Sequence, residues 1–169
     1  MSEVIDSIHR MRSPKKLLQT FEAVKDRLED LGISSNQTDP VGQYAEYLVK
    51  ELYDAEKTTN GTAGCDLVTK DGVRIEVKGR VARSEGYIPK TYINNSNVSE
   101  ANFDYLVYVV FNKKYEIEMA LGMTIDVFKD NAEFVDHNNS APKWKFLASP
   151  ELKKNKDIED LTPRLSEFQ

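Results

Sequence analysis

The chain has 169 residues, 40% of them hydrophobic and 30% charged, which is an ordinary composition for one globular domain with its own core. Its net charge of −5 argues against a protein that binds nucleic acid through overall positive charge, although a local basic groove is compatible with it. The single cysteine, Cys65, excludes an internal disulfide and fits a reducing compartment. We therefore expect one soluble, cytoplasmic domain over residues 1–169, with a helical segment at 1–40, a core at about 41–148 and a charged tail at 149–169.

Two further classes of protein lack their sequence signatures here. No apolar stretch reaches the roughly 18 residues that a membrane span requires, and no secretory signal opens the chain. The phosphate-binding loop G-x-x-x-x-G-K-[ST] is also missing. We expect no membrane association and no ATP site in this chain.

The first predicted element is an amphipathic helix over residues 14–31. Ser13 and Pro14 are typical of a helix start, because serine caps the free amides and proline suits the first helical position. Apolar residues then recur at spacings of three and four, namely Leu17, Leu18, Phe21, Val24, Leu28 and Leu31. Gly32 follows as a stop signal, and residues 34–40 read as a polar linker.

A second helix is predicted from about residue 41 to residue 55. Its apolar stripe consists of Tyr44, Leu48 and Leu52, which recur at the helical spacing of four. Glu46 lies off that stripe, so its carboxylate is free to take part in a site.

Residues 64–80, GCDLVTKDGVRIEVKGR, predict a β-hairpin whose turn has two possible readings. A two-residue turn at 71–72 would place Asp66 on the apolar face. A three-residue loop at 70–72 instead pairs Leu67 with Ile75 on the apolar face. A slip of one residue turns every side chain over, so the apolar pairs favour the three-residue loop.

The remaining elements complete a mixed sheet with helices on its faces. We predict, in chain order, a long loop at 81–97, a central strand at 104–111, a more exposed strand at about 115–121, a helix capped by Thr124, a short strand at 143–147 and a peripheral charged tail from residue 151. The fold class is therefore α/β, an α+β mixed sheet with an extra N-terminal helix.

The three-residue loop places Asp66 opposite Glu76, with Lys78 on the same face of the strand. Converging carboxylates repel one another unless a cation lies between them. Mg²⁺ is the expected cation, because it prefers hard oxygen ligands and takes few protein carboxylates, and Mn²⁺ could replace it. Such a metal activates water and neutralises a scissile phosphate, while the Lys78 ammonium suits the attacking water or the transition state. Glu46 could approach from the preceding helix as a further ligand.

At these residues the chain resembles the PD-(D/E)XK phosphodiesterase superfamily, which has the restriction-endonuclease-like fold. The resemblance consists of Asp66, the Glu76-Val77-Lys78 segment and the helical Glu46, with Cys65 where the motif name has proline. It implies that Asp66 and Glu76 bind the metal with the Val77 backbone carbonyl, that Lys78 assists the water, and that Glu46 supports the site. It also implies a core of helix, three-stranded meander, helix and strand, which we match to about residues 41–122.

Four basic residues are candidates for nucleic-acid binding: Arg74, Arg80, Arg83 and Lys90. Between residues 74 and 90 they and Lys78 outnumber two acids, with two tyrosines nearby. A local positive excess of this kind suits a groove that follows a nucleic-acid backbone. A charged loop without a ligand is the alternative interpretation.

The leading functional hypothesis is a Mg²⁺-dependent nuclease, in the first place a DNA endonuclease, with RNA as an open alternative substrate. So small a chain would cut both strands of a duplex most easily as a homodimer or with a partner subunit. The alternative is a catalytically inactive subunit of the same fold that binds nucleic acid or has a structural role. A third hypothesis is an interaction module whose acidic surface contacts another protein.

Overall fold

The computed structural model describes residues 2–33, 40–58, 64–84, 86–137 and 140–169. These residues form a mixed α/β structure with one mixed sheet and one smaller antiparallel sheet, which confirms the predicted class. The predicted linker at 34–40 lies outside the described residues except for Pro40. No helix of the described ranges is long and apolar enough to cross a bilayer.

The helices are, in chain order, α1 (Glu3–Arg10), α2 (Pro14–Asp30), α3 (Pro40–Tyr53), α4 (Asn95–Ser99), α5 (Ile125–Asn131) and α6 (Thr162–Ser166), with a 3₁₀ turn at Pro150–Lys154. α2 confirms the predicted N-terminal helix, since the Lys16 amide donates to Ser13 Oγ at 3.4 Å and Leu31 closes the helix. α5 begins as predicted, with the Val127 amide donating to Thr124 Oγ1. α1 was not predicted, and neither α1 nor α2 contains a buried residue.

The strands are β1 (Glu56–Lys57), β2 (Leu67–Val68), β3 (Arg74–Val81), β4 (Lys90–Asn94), β5 (Tyr105–Phe111), β6 (Ile117–Thr124), β7 (Ala132–His137), β8 (Ser140–Leu147) and β9 (Glu159–Asp160). The larger sheet has the order β1-β2-β3-β5-β6-β9, in which β3 and β5 are parallel and the other neighbours antiparallel. The smaller sheet has the order β4-β8-β7. A single parallel pair in the centre requires a crossover, and β4 and α4 supply it.

The hairpin has the predicted three-residue loop. Leu67 pairs with Ile75, and Gly72 adopts φ +83°, the left-handed conformation that glycine tolerates best. The Gly72 amide donates to the Thr69 carbonyl at 2.9 Å. The ladder between β2 and β3 ends at Leu67, so that Asp66 leaves the strand just beside β3.

β5 is the predicted central strand, and its side chains alternate between two apolar clusters. Leu106 and Tyr108 belong to the cluster that packs against the smaller sheet. Val107 and Val109 belong to the cluster that packs against α3, which buries Ala45, Leu48 and Val49 there. Since β3 pairs in register with β5, successive β3 side chains also point to opposite sides of the sheet.

The predicted long loop at 81–97 is wrong over its second half, which forms β4 and the start of α4. β4 buries Thr91 and Ile93 and exposes Lys90 and Tyr92. This alternation is typical of a half-buried strand, but it covers only five residues beside Pro89. β4 is stable because β8 supplies its hydrogen-bonding partner.

The predicted peripheral tail is wrong, because the C-terminal segment packs on the larger sheet. This segment covers β6, so the predicted exposure of the strand near 115–121 is also wrong. β9 pairs with the outer edge of β6, where the Leu161 amide donates to the Ala120 carbonyl at 2.9 Å. Leu161 and Leu165 are fully buried against the sheet. Residues from 119 to 123 of β6 are therefore buried as well.

Candidate functional site

Glu76 and Lys78, the predicted acid and lysine of β3, lie where one edge of β3 has no neighbouring strand in the described part of the chain. β2 pairs only with Arg74 and Ile75 of β3, so that β3 has only β5 as a neighbour from Glu76 onwards. Glu76 and Lys78 share one side of β3 because strand side chains alternate. The edge therefore presents charged side chains together with backbone groups.

Asp66 lies directly against this edge. Its Oδ2 accepts a hydrogen bond from the Val77 amide at 2.7 Å, so the carboxylate takes the place of a neighbouring strand's carbonyl. This contact fixes Asp66 beside the segment that carries Glu76 and Lys78, although the ladder ends before the predicted pairing of Asp66 with Glu76. The metal-binding role of the Val77 carbonyl stays a prediction.

Glu76 is an almost fully buried acid, with 5% of its surface exposed, and it forms an ion pair with Lys78. Burial raises the pKa of Glu76 to about 7, the Lys78 charge opposes that rise, and the negative charge of Asp66 adds to it. A carboxyl group near half-protonation at neutral pH exchanges its proton readily for another cation. Perturbed acids of this kind concentrate at functional sites.

Glu46 supplies a third carboxylate from α3. Burial and then the negative charge of Asp66 raise the pKa of Glu46, while Lys57, whose Nζ lies 3.6 Å from Glu46 Oε2, opposes the rise. α3 approaches β3 closely because residue 79 is glycine. A Cβ on Gly79 would lie 2.7 Å from the Val41 carbonyl oxygen, which is too close.

Four predicted residues thus form one electrostatic group, the β3-edge cluster: Glu46, Asp66, Glu76 and Lys78. Their mutual influence appears in the raised pKa values of the two glutamates. Among the residues that the structure describes, no three carboxylate, imidazole or thiol side chains are already gathered as a metal site. The donors nevertheless fit a hard divalent cation, since all three acids offer oxygen and their repulsion needs a positive charge.

Two of the four predicted nucleic-acid-binding residues, Arg74 and Arg80, form hydrogen bonds with other segments of the chain. Arg74 makes a two-point contact with Asp104, with Nη2–Oδ1 at 2.7 Å and Nε–Oδ2 at 3.1 Å. Arg80 reaches across to β4, where its Nη2 donates to Thr91 Oγ1 at 3.0 Å. Both guanidinium groups are engaged within the chain, so their predicted contact with nucleic acid remains untested.

The other two predicted nucleic-acid-binding residues, Arg83 and Lys90, are exposed to solvent. Arg83 lines an open cleft of about 450 Å³ whose other walls include Arg80, Gly79 and Tyr115. Lys90 is exposed, and its Nζ lies 5.6 Å from the centre of the Tyr92 ring.

The smaller sheet adds basic residues that the sequence interpretation missed. On β8, Lys145 pairs with Tyr92 and Lys143 with Asn94, so that both lysines share the outer face of this sheet with Lys90. The signal was present in the alternating segment KWKFL at 143–147. It could not be used because the pairing of β8 with β4 is not visible in the sequence. Lys145 also forms an ion pair with Glu133 of β7.

Comparison with known proteins adds no family assignment. No protein-family model matches this chain, and no curated protein matches it significantly. The resemblance to PD-(D/E)XK phosphodiesterases therefore remains a prediction from the sequence motif.

Proposed function

We propose that this protein is a Mg²⁺-dependent nuclease that hydrolyses DNA phosphodiester bonds. The observation that carries the proposal is the β3-edge cluster: Asp66 accepts a hydrogen bond from the Val77 amide beside the Glu76–Lys78 ion pair, and Glu46 of α3 lies near enough for its charge to raise the pKa of Glu76. Burial of Glu76 beside other acids costs folding free energy, and a structural role does not require it. A divalent cation would relieve that cost.

Each residue of the cluster has a distinct role in the proposed reaction. Asp66 and Glu76 would hold the metal ion, with Glu46 as a supporting ligand. When bound, Mg²⁺ lowers the pKa of a coordinated water and neutralises charge on the scissile phosphate. Lys78, released from its pair with Glu76, would orient the attacking water or stabilise the charge that develops on the phosphate.

The order of the elements supports a restriction-endonuclease-like core. α3 is followed by three consecutive antiparallel strands, β1 to β3, then by β4 of the smaller sheet, α4 and β5. Apart from the inserted β4, this is the order helix, three-stranded meander, helix, strand that the resemblance implies. The placement of the acids at the second and third strands also agrees with it.

The basic outer face of the smaller sheet supports nucleic acid as the substrate. Lys90, Lys143 and Lys145 project from neighbouring strands, and Tyr92 adds an aromatic ring that is partly exposed. Such a combination suits backbone phosphates and stacked bases in a protein whose net charge is −5. Arg80 joins this sheet to β3 through Thr91, which lies on the buried face of β4, so the basic face is on the opposite side of β4 from that contact.

The direct test is cleavage of plasmid, single-stranded DNA and RNA by the purified protein with Mg²⁺ or Mn²⁺. We expect cleavage that chelator stops and that Asp66→Ala abolishes. Asp71→Ala is the matched control, because Asp71 lies exposed in the turn of the same hairpin and away from the cluster. Equal cleavage by the Asp66→Ala protein would refute the proposed site.

A second candidate function is a catalytically inactive nucleic-acid-binding subunit. The observation in its favour is the ion pair between Glu76 and Lys78, which satisfies both charges without a metal. This function predicts DNA binding in chelator and no cleavage with any divalent cation. It also predicts that Asp66→Ala leaves DNA affinity unchanged.

A further inference from the structure

α2 exposes most of an apolar stripe, in which Leu28 is half-buried. Phe21 is 55% exposed and Val24 49%, Leu17 is also exposed, and none of the helix's 17 residues is buried. A helix of this length is marginal in water unless packing stabilises its apolar face. The described part of the chain supplies no such packing, so the stripe is suited to a partner.

The spacing of the stripe specifies what kind of partner fits it. Leu17, Phe21, Val24, Leu28 and Leu31 follow one another at intervals of four, three, four and three residues. This is the heptad pattern of a two-helix seam, and it is narrower than the face that a helix buries against a sheet. The expected partner is therefore another helix.

The charges of α2 run against the preference of a helix on its own. Lys15 and Lys16 lie in its first turn, while Glu29 and Asp30 lie in its last turn together with one base, Arg27, which pairs with Asp30. A helix dipole favours acids at the N-terminus and bases at the C-terminus, so this arrangement costs α2 some stability. A second helix of the same sequence, running in the opposite direction, would place each charged end near its complement.

We propose that α2 forms an antiparallel pair with α2 of a second copy of this chain. In that register Leu17 packs against Leu28 of the second copy and Phe21 against Val24 of the second copy, and two-fold symmetry repeats both contacts. A parallel pair would instead place the lysine-bearing ends of both helices together. The inference does not depend on the proposed nuclease activity.

The flanks of the seam fit the same arrangement. Leu18, which is 66% exposed, would lie beside Lys25 of the second copy, whose methylene stem can cover it. Thr20 would lie beside Arg27 of the second copy. No like charges meet along either flank.

The first test is the molar mass of the full-length protein in solution, by light scattering and sedimentation, over a range of concentrations. We expect a dimer, and we expect Phe21→Glu to give a monomer whose core stays folded, with any loss of helix content limited to α2. Ala23→Glu is the matched control, because Ala23 is exposed on the same helix but outside the seam. A monomeric wild-type protein at high micromolar concentration, or a dimer that Phe21→Glu leaves intact, would overturn the proposal.

The second test is cross-linking, which reports the direction of the pair. Leu17→Cys mixed with Leu28→Cys should form a disulfide-linked dimer under mild oxidation, whereas Leu17→Cys alone should not. The wild-type chain is the background control, since its own Cys65 is buried. Self-linking of Leu17→Cys would refute the antiparallel register, and Lys15→Glu with Lys16→Glu should weaken the dimer in low salt.

Discussion

The β3 edge and α2 depart in opposite ways from the rule that charge lies outside and apolar surface inside. At the β3 edge an acid is buried beside other acids, while on α2 an aromatic ring and several aliphatic side chains face solvent. Each arrangement costs a lone chain free energy. The comparison indicates two different missing partners, a small cation at the first region and a protein surface at the second.

The largest expected effect is on nuclease activity, and it tests whether Lys78 takes part in the reaction. Lys78→Met should reduce nuclease activity by about 10²–10³-fold, the usual cost of losing one group that stabilises transition-state charge. Initial rates of plasmid nicking under Mg²⁺ measure it. Lys113→Met, at an exposed position after β5, should leave the rate unchanged. A rate for Lys78→Met near that of the wild type would remove Lys78 from the mechanism.

The second prediction concerns the loss of folding stability that the buried Glu76 carboxylate causes as pH rises. Burial raises the pKa of Glu76 from 4.5 to about 7, so the folded state holds this proton more tightly than the unfolded state does. Stability therefore falls as pH rises from about 4.5 to 7, by up to about 3 kcal/mol. The side chain introduced by Glu76→Gln carries no charge at any pH, so the stability of this variant should not fall over the same pH range.

Denaturant unfolding of the wild type and of Glu76→Gln at pH 4.5 and pH 8, in chelator, measures the difference. We expect similar stabilities at the lower pH and a more stable variant at the higher pH. Added Mg²⁺ should stabilise only the wild type, because the variant lacks a proposed ligand. A variant that is less stable than the wild type at pH 8 in chelator would contradict this account of Glu76.

The third prediction concerns the close approach that places Glu46. Gly79→Ala should reduce the free energy of unfolding by about 1–3 kcal/mol, because the new methyl group must displace the backbone of α3. Thermal or denaturant unfolding measures it, and nuclease activity should fall with it as Glu46 moves. Gly42→Ala, at a glycine of α3 where a Cβ would meet open space and the backbone has no positive φ, gauges the effect of glycine replacement without a clash. A Gly79→Ala protein as stable as the wild type would show that α3 can shift freely.

The smallest expected effect compares two leucines on different helices. Leu17→Ala on α2 should change the stability of the monomer by less than about 0.5 kcal/mol, since Leu17 lies on the exposed stripe. Leu48→Ala on α3 should cost about 2–5 kcal/mol, because Leu48 is fully buried. Denaturant unfolding at high dilution measures both. Equal losses would show that α2 packs on its own chain.

Local signals were enough to predict α2, α3 and the register of the hairpin. Ser13 and Pro14 determine where α2 begins, and Gly72 determines the turn, so neighbouring residues contain the information. Asp66 and Glu76 could be placed together because the turn fixes their separation along two strands.

Contacts between distant segments could not be predicted in the same way. The hydrogen bond from Arg80 to Thr91 is an example: the two residues are 11 positions apart, and only the crossover brings β4 beside β3. The protonation behaviour of Glu76 depends on burial, which the sequence of an alternating strand does not reveal. The lysines of β8 became part of a basic face only through their pairing with β4.

The docking of the C-terminal segment has a consequence for the sheet's outermost strand. β9 covers part of the free side of β6, and the Gln169 side chain bonds to the Ile117 amide at 3.1 Å and to the Tyr115 carbonyl at 2.6 Å. Removal of residues 158–169 would leave a long apolar strand with unpaired backbone groups, which is a template for aggregation. Residues 158–169 therefore prevent the edge of β6 from pairing with another chain. We expect a protein without these residues to precipitate.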